Sequence, residues 1–360
     1  MNFNLKRAAA IVAALLTTAQ LFATPTGCDI MVRWNGDKLL GPKFQCHTVR
    51  HDDDYSGEVI STIIRRTPLL DNDRAILYVH GYNDYFFQEE MANRFYDSMW
   101  NFYAIDLRKY GRSMLDHQQP FEVLDLKEYF ADIDRTLALM WGEGFREIIL
   151  MGHSTGGLIT TLYCKEIEKQ EQESATSDSK KRVNATVKGL ILNSPFLEMN
   201  MGWFARKVGY PIIAAIGRIA PQGVVSQGKS TAYFESLQSA HNGEWEYDPE
   251  LKFAISPPVT LGWINAIYQG HRTVQRTRDI DIPILLLYSD NTVSGKVWSE
   301  KFQHGDCVLN VDHIKKYGSR LGENVTAVEI NGGMHDLILS SYNSREQAYT
   351  TIFDWLKEQR

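Results

Sequence analysis

Short apolar runs alternate along the chain with longer stretches in which apolar residues recur at helical spacing. The apolar runs predict buried strands near residues 75–80, 101–106, 146–151, 187–193, 282–289 and 325–330. The helical spacing predicts helices near residues 88–99, 123–142, 155–169, 312–321 and 348–356. Such alternation is typical of a mostly parallel sheet that is covered by helices on both faces. We therefore predict an α/β fold.

Four segments depart from this alternation. Residues 24–56 form a polar lead-in, and residues 57–67 are predicted to form a first pair of strands at the sheet edge. Residues 170–183 are rich in Glu, Ser and Lys, which favours a solvated loop. Residues 195–282 are rich in aromatic residues and include an apolar run at residues 211–216, so we expect an insertion there.

One serine lies between a predicted buried strand and a predicted helix. Residues 152–156 have the sequence GHSTG, with Ser154 at the centre. In this Gly-x-Ser-x-Gly pattern the serine occupies a sharp turn, and the glycines let strand and helix approach where a Cβ would clash. The N-terminus of the helix then points N–H groups at the reacting oxygen. The short pattern also occurs by chance in unrelated proteins, so its surroundings decide what it means.

Two histidines follow other predicted strands. His80 opens the sequence HGYND at residues 80–84, and His335 lies in the sequence NGGMHD at residues 331–336. A serine nucleophile needs a general base, and His335 on its glycine-rich loop fits that role. We expect His80, and His153 beside the serine, to shape turns instead.

Together these stretches resemble the α/β-hydrolases of the serine aminopeptidase S33 type, in particular the lysophospholipase and monoglyceride-lipase-like branch. The matching stretches are YVHG at residues 78–81, YAIDLRKYGRS at 103–113, MGHSTGG at 151–157 and GMHD at 333–336. They lie within residues 57–358, nearly the whole chain. One departure is Lys109, where such proteins usually carry glycine, and it leaves the shape of that loop open.

The resemblance implies an α/β-hydrolase fold with a helical cap insertion. The core would be formed by residues 24–194 and 283–360, and the cap by residues 195–282. The aromatic and aliphatic side chains of the cap would line an apolar pocket or form the cap's own small core, and both interpretations stay open.

The resemblance also implies roles for single residues. Ser154 would be the nucleophile, and His335 would act as general base and then as general acid. The oxyanion hole would be formed by the backbone N–H groups of Tyr82 and Thr155.

Two aspartates compete as the acid that orients His335. Asp290 directly follows the predicted strand at residues 282–289, which is the usual place for this acid. Asp306 precedes a predicted helix, and it gives the compact order of acid, helix, strand and histidine that the resemblance implies. We favour Asp306, with residues 291–304 as an insertion, and keep Asp290 as the alternative.

The first 23 residues differ from the rest of the chain. Lys6 and Arg7 precede an apolar stretch without acidic residues, which predicts a secretory signal peptide that is too short to span a membrane. We expect cleavage near Ala23 and export to the periplasm or the extracellular space. Lipid anchoring at Cys28 is not expected, because Pro25 stands where a lipoprotein signal needs leucine.

Charge and cysteine content exclude several classes of function. Without residues 1–23 the chain has 36 basic and 44 acidic residues, a net charge of −8 rather than −6, which disfavours a nucleic-acid partner. Cys28 and Cys46 could pair in an exported protein, whereas Cys164 fits a small core residue. We find no cysteine and histidine spacing typical of a metal site and no phosphate-binding or dinucleotide-binding motif, so we expect no metal and no cofactor.

These features predict a secreted serine hydrolase that cleaves a small or lipid-like carboxylic ester through an acyl-enzyme. The first alternative is an aminopeptidase or amidase with the same machinery. It would need an acidic residue to hold the free amine of its substrate, and Glu244, Glu246 and Asp248 are candidates. The second alternative is a non-catalytic binding protein of the same fold, and the retention of nucleophile, base and acid argues against it.

Overall fold

The structure, a computed structural model, describes residues 32–173, 176–225, 230–276, 278–295 and 297–359. A large sheet runs through this part of the chain, together with a separate two-stranded ribbon. The strands are β1 (Asn35–Asp37), β2 (Gly41–Arg50), β3 (Ile60–Arg66), β4 (Arg74–Val79), β5 (Asn101–Asp106), β6 (Glu147–His153), β7 (Val187–Asn193), β8 (Val224–Val225), β9 (Val259–Thr260), β10 (Ile284–Ser289) and β11 (Val325–Ile330).

The large sheet has nine strands in the order β1-β2-β3-β5-β4-β6-β7-β10-β11, and β8 pairs with β9 in the ribbon. In the large sheet β5, β4, β6, β7, β10 and β11 pair with their neighbours in parallel. Strands β1, β2 and β3 pair antiparallel, and β3 also pairs antiparallel with β5. Because β4 lies between β5 and β6, the strand order reverses at β4. Ligands of open α/β sheets bind at such a reversal, outside the carboxyl ends of the strands.

The helices cover both faces of the parallel strands. Successive residues of a strand point to opposite faces, and every residue of β5 and β10 is buried. The α-helices are α1 (Glu89–Asp97), α2 (Phe130–Gly142), α3 (Thr155–Gln172), α4 (Asp178–Asn184), α5 (Tyr210–Gly217), α6 (Ala232–Leu237), α7 (Leu261–Val274), α8 (Val311–Gly318) and α9 (Tyr342–Glu358). A π-helical turn at Ala205–Gly209 leads into α5. Short 3₁₀ turns lie at Gly111–Ser113, Leu126–Tyr129, Glu300–Gln303 and Leu337–Leu339. This is the α/β fold predicted from the sequence.

Two local predictions are wrong. Residues 57–67 do not form an edge pair but contain the single strand β3, and the edge is formed by β1 and β2 within the predicted polar lead-in. The sequence does not reveal β2, because exposed and half-buried positions occur on both faces of this strand. Apolar and polar residues therefore do not alternate along it. The predicted loop at residues 170–183 is partly helical, since α3 continues to Gln172 and α4 begins at Asp178.

Some predictions concern residues outside the described part of the chain. The signal peptide at residues 1–23 falls there, and so does Cys28, the predicted partner of Cys46. Cys164 is buried on α3, as expected for a small core residue. Across the described residues we find no helix long and apolar enough to cross a membrane.

Candidate active site

Ser154 occupies a sharp turn between β6 and α3. Its backbone φ is +53°, a left-handed value that non-glycine residues rarely adopt. The glycines on either side are required by close backbone approach. A Cβ on Gly152 would lie 2.6 Å from the carbonyl oxygen of Gly156, and a Cβ on Gly156 would lie 2.3 Å from that of Val79. The turn therefore brings the end of β4 against the start of α3 and holds the serine hydroxyl at the carboxyl edge of the sheet.

A continuous chain of hydrogen bonds joins three buried side chains at this edge. Nε2 of His335 lies 2.9 Å from Oγ of Ser154, and Nδ1 of His335 lies 2.9 Å from Oδ2 of Asp306. With Nδ1 protonated, the imidazole donates to the carboxylate and accepts from the hydroxyl. The carboxylate thus fixes the tautomer in which Nε2 is a base directed at the serine.

Asp306 is held in place by its second oxygen. Oδ1 accepts hydrogen bonds from the backbone N–H groups of Val308 and Leu309, each at 2.8 Å. The side chain is fully buried. Asp306 and Thr292 form an isolated β-bridge. This bridge returns the chain to the end of β10 after the insertion predicted at residues 291–304.

The alternative acid, Asp290, does not reach His335. Its side chain is exposed, and Oδ1 accepts from the backbone N–H of Gly332 at 3.0 Å and from the amide of Asn291. Asp290 therefore ties the loop after β10 to the loop after β11. Of the two aspartates, the structure brings only Asp306 to the histidine.

Hydrogen bonds to Asn193, at the end of β7, anchor the loop that carries His335. Asp336 accepts a hydrogen bond from the side chain of Asn193 at 2.7 Å, and Asn193 accepts the backbone N–H of Leu337. His153 packs against the His335 ring at 4.8 Å and donates from Nδ1 to the carbonyl of Asn193. Burial lowers the pKa of His153, with Asp336 acting in the opposite direction, so His153 stays neutral beside the catalytic candidate.

The predicted oxyanion residues lie beside Ser154. Tyr82 and Thr155 both line a cavity that opens at the serine. Gly81 brings the first loop close, since a Cβ there would lie 3.1 Å from the Cβ of Ser154. His80 stabilises this loop, because Nδ1 donates to the carbonyl of Gly81 and Nε2 accepts the backbone N–H of Leu107.

Residues of the insertion also hold the loop at residues 80–84, which carries Tyr82, in place. Asn83 has a positive φ of 50°, and its side chain donates to the carbonyl of Phe253 and accepts the backbone N–H of the same residue. A third hydrogen bond joins the Asn83 side chain to the hydroxyl of Ser256 at 3.1 Å. Residues of the insertion therefore help to set the position of Tyr82.

An apolar cavity of about 480 Å³ extends from Ser154 into the insertion. Its walls are almost entirely aliphatic, aromatic or methionine side chains. They include Phe196, Met199, Tyr210, Ile213, Val259 and Trp263. Part of the aromatic content of the insertion thus lines a pocket, which was one of the two interpretations left open.

A smaller cavity of about 210 Å³ is lined by both Ser154 and His335. We call it the polar cavity, because charged and hydroxyl-bearing side chains line it beside aromatic ones. Asp84 and Lys252 meet there in a buried ion pair, with Nζ 2.8 Å from Oδ1. The other carboxylate oxygen of Asp84 and the hydroxyl groups of Tyr233 and Tyr247 have no hydrogen-bond partner within the described structure. The sequence could not identify this cavity, because Lys252 follows Asp84 by 168 residues.

The acidic candidates for binding an amine lie elsewhere. Glu244 pairs with Arg345, Glu246 is exposed, and Asp248 accepts the backbone N–H of Glu250. None of the three lines either cavity at Ser154 in the part of the chain that the structure describes. Over the same residues, we find no cluster of three or more His, Cys, Asp or Glu side chains that could hold a metal.

Lys109 keeps the backbone shape that glycine usually provides at its position. Its φ is +63°, in the left-handed region. The side chain is fully buried, with Nζ 2.9 Å from Oδ2 of Asp54 and 4.1 Å from the ring centre of Tyr55. An ion pair and an aromatic contact therefore accompany the left-handed backbone at Lys109.

Residues 71–339, more than half of the chain, match the family described as serine aminopeptidase, S33. The chain belongs to this family of α/β-hydrolases. The resemblance to the S33 family is confirmed, and the protein is a hydrolase.

Solved structures agree on the fold. A soluble variant of monoglyceride lipase from Saccharomyces cerevisiae is 14% identical, with a TM-score of 0.59, covering 88% of this chain and 97% of that one. The monoacylglycerol lipase of Paleococcus ferrophilus is 15% identical, with a TM-score of 0.54, covering 88% and 99%. A putative hydrolase from Agrobacterium vitis is 16% identical, with a TM-score of 0.55, covering 88% and 98%. A search of curated protein sequences finds no significant match.

Proposed function

We propose that this hydrolase cleaves carboxylic esters through an acyl-enzyme on Ser154. The observation that carries the proposal is the unbroken hydrogen-bond chain from Asp306 through His335 to Ser154. The serine at its end lies where an apolar and a polar cavity meet.

The reaction has two halves. Oγ of Ser154 attacks the ester carbonyl carbon while Nε2 of His335 takes the hydroxyl proton. The oxyanion of the tetrahedral intermediate accepts hydrogen bonds from the backbone N–H groups of Tyr82 and Thr155. His335 then returns its proton to the leaving alkoxide, the alcohol departs, and an acyl-serine ester remains. Water, deprotonated by His335, releases the carboxylic acid and restores the serine.

The two cavities suit an ester with one apolar and one polar half. A monoglyceride joins a single acyl chain to glycerol and divides in this way. The acyl chain would enter the apolar cavity, and the alcohol would lie in the polar cavity beside Asp84 and Lys252. The structural neighbours that are monoglyceride lipases support this substrate class.

Electrostatics favour an ester over an aminopeptidase substrate. A free amine needs an acidic group near the serine, and Asp84 is the acid that lines the polar cavity. Lys252 already neutralises it, with Nζ 2.8 Å away, so the pair offers hydrogen bonds but little net negative charge.

A direct comparison of substrates tests the proposal. Purified protein is assayed with p-nitrophenyl esters of increasing acyl length and with aminoacyl anilides, and Ser154→Ala serves as control. We expect ester hydrolysis that rises with chain length until the apolar cavity is filled, and little anilide cleavage. Faster cleavage of the anilides would assign the site to an aminopeptidase, and hydrolysis of neither would contradict the proposal.

We further propose that residues 1–23 direct export. The basic start and the apolar stretch that ends at Ala23 support this. N-terminal sequencing of protein from its native host should begin near Thr24. An intact Met1 on protein from the cytoplasm would contradict export.

A further inference from the structure

A further cavity lies at the edge of the sheet opposite the active site. Its volume is about 420 Å³, and it is lined by the end of α3, the start of β7 and the segment that leads into β10. Because α3 begins beside Ser154 at the carboxyl ends of the strands, its last turn lies near their amino ends. The described residues that line this cavity line neither of the two cavities at Ser154. It is therefore separate from the proposed active site.

Negative charge predominates in this cavity. Three of the described residues that line it are acidic, Glu168, Glu171 and Asp281, and one is basic, Lys188. Three carboxylates and one ammonium group leave two net negative charges. The helix α3 ends at Gln172, and the C-terminus of a helix adds a partial negative charge. We call this the acidic cavity.

The carboxylates of the acidic cavity lie close together. Oε1 of Glu168 accepts the backbone N–H of Asp281 at 3.1 Å. Burial raises the pKa of Glu168, and the negative charges of Asp281 and Glu171 act in the same direction, whereas the hydrogen bond from that N–H lowers it. A cation bound among these groups would relieve their mutual repulsion.

A buried amide in the acidic cavity lacks one hydrogen bond. Asn184, the last residue of α4, is 1% exposed and lines the cavity. Its Nδ2 donates to Oε1 of Gln170 at 3.2 Å, but its Oδ1 has no partner within the described residues. Gln170 does not line the cavity, so Oδ1 is the amide atom left to face it. Since buried polar groups are almost always hydrogen bonded, this oxygen indicates a ligand that donates a hydrogen bond.

The remaining walls of the acidic cavity are apolar. Ile167, Val187, Ile282 and Pro283 line it beside the charged groups. A ligand that fits all three features is positively charged, carries N–H donors and has an aliphatic part. A metal ion has neither a donor nor an aliphatic part, and across the described residues no three His, Cys, Asp or Glu side chains are placed to hold one.

We propose that the acidic cavity binds a primary aliphatic amine. Its ammonium group would donate to Oδ1 of Asn184 and pair with the carboxylates of Glu168 and Asp281. Its alkyl chain would lie against Ile167 and Ile282. The presence of a third carboxylate suits a diamine, whose second ammonium group can also be neutralised.

Calorimetric titration of the full chain with 1,5-diaminopentane tests the proposal, at a constant ionic strength set with sodium chloride. We expect one diamine per chain, with a dissociation constant below about 1 mM. The double variant Glu168→Gln/Glu171→Gln should bind about 10-fold more weakly, because two carboxylates are lost. The matched control Glu166→Gln removes a carboxylate of the same helix outside the cavity, and should bind within about twofold of the unmodified protein.

Two further comparisons separate charge from hydrogen bonding. Lys188→Gln should strengthen binding about threefold, since a positive charge is removed from the cavity. Pentylammonium should bind about 10-fold more tightly than trimethylpentylammonium, which has the same charge but no N–H donor for Oδ1 of Asn184. This second comparison needs no substitution at a buried residue, so it does not depend on the folding of a variant.

Four results would overturn the proposal. The diamine could show no saturable binding. Glu166→Gln could weaken binding as strongly as Glu168→Gln/Glu171→Gln does. The quaternary amine could bind as tightly as the primary one. Calcium chloride could bind more tightly than the diamine, which would assign the acidic cavity to a metal. Ser154→Ala should bind the diamine like the unmodified protein, so the outcome is independent of the proposed reaction.

Discussion

Only one of the two aspartates after β10 reaches His335, and the reason is a detour of the backbone. The chain leaves the sheet at Thr292 and returns at Asp306, where the two residues form a bridge. Asp290 stays exposed at the strand end and binds the next loop. The sequence favours Asp306 but does not exclude Asp290. The return of the chain to the sheet edge at Asp306 is a feature of the tertiary fold, which no local pattern reveals.

Replacement of this acid should affect the rate far more than the fold. We expect Asp306→Asn to lower kcat about 10⁴-fold, because asparagine can favour the wrong tautomer of His335 and cannot stabilise its imidazolium. Steady-state kinetics measure the change, with circular dichroism as a check of folding. Asp290→Asn is the matched control and should retain kcat within about threefold, as expected for an exposed site. The reverse order of the two effects would assign the acid to Asp290.

The other site residues differ in how far the sequence revealed them. Ser154 and His335 were predicted because each lies in a short local pattern beside a buried strand. The Asp84 and Lys252 pair was missed, since nothing local links a lysine of the insertion to a loop after β4. Contacts of this kind are set by tertiary packing.

At the level of elements, burial decided which strands could be predicted. The predicted bounds of β5, β7 and β11 agree with the structure to the residue. β5 is buried on both faces, and its central residues 102–105 form a continuous apolar run. β2 was missed because a half-exposed antiparallel strand carries polar side chains on both faces.

The insertion and the core are joined by a buried charge pair, and its loss should destabilise the protein. Lys252→Met leaves the Asp84 carboxylate buried without its partner, so we expect the free energy of unfolding to fall by about 3–5 kcal/mol. The double variant Asp84→Asn/Lys252→Met should recover part of this loss, because no buried charge is left uncompensated. Urea denaturation measures all three proteins.

A surface pair provides the comparison for this experiment. Lys315 and Glu329 also form an ion pair, but both side chains are exposed. We expect Lys315→Met to leave the unfolding transition unchanged within error. If Lys252→Met also left the unfolding transition unchanged, the pair between Asp84 and Lys252 would not connect the insertion to the core.

For the whole molecule, a buried neutral histidine makes stability depend on pH. His271 donates to the carbonyl of Phe196 and lies 3.3 Å from the hydroxyl of Tyr210. Burial lowers the pKa of His271 to about 3, from 6.5 for an exposed histidine. Below about pH 6.5 the unfolded chain therefore binds a proton that the folded chain excludes, so stability is present above that pH and is lost as the pH falls.

The resulting change is large enough to measure. Between about pH 7 and pH 5, His271 should lower the free energy of unfolding by about 2 kcal/mol. His271→Gln retains an amide donor and acceptor without titrating, and should reduce the pH dependence by that amount. Denaturant unfolding at both pH values checks this. An equal pH dependence in the two proteins would show that His271 is not the group responsible.

The insertion illustrates the limit of sequence analysis at this scale. Its position at residues 195–282 followed from the break in the alternation of strands and helices. The role of its aromatic side chains did not follow from the sequence, because the same residues suit a pocket or a small core equally well. The structure assigns some side chains to the apolar cavity and leaves others, such as Trp203, on the outside.

The central claim is that Ser154 is the nucleophile, and covalent labelling tests it most directly. The protein is treated with a fluorophosphonate, and the adduct is located by intact mass and peptide mapping. We predict one adduct, on Ser154, and none on Ser154→Ala, whereas Ser230→Ala, which changes another serine of the polar cavity, should label normally. Undiminished labelling of Ser154→Ala, or an adduct on a different residue, would contradict the assignment of the active site.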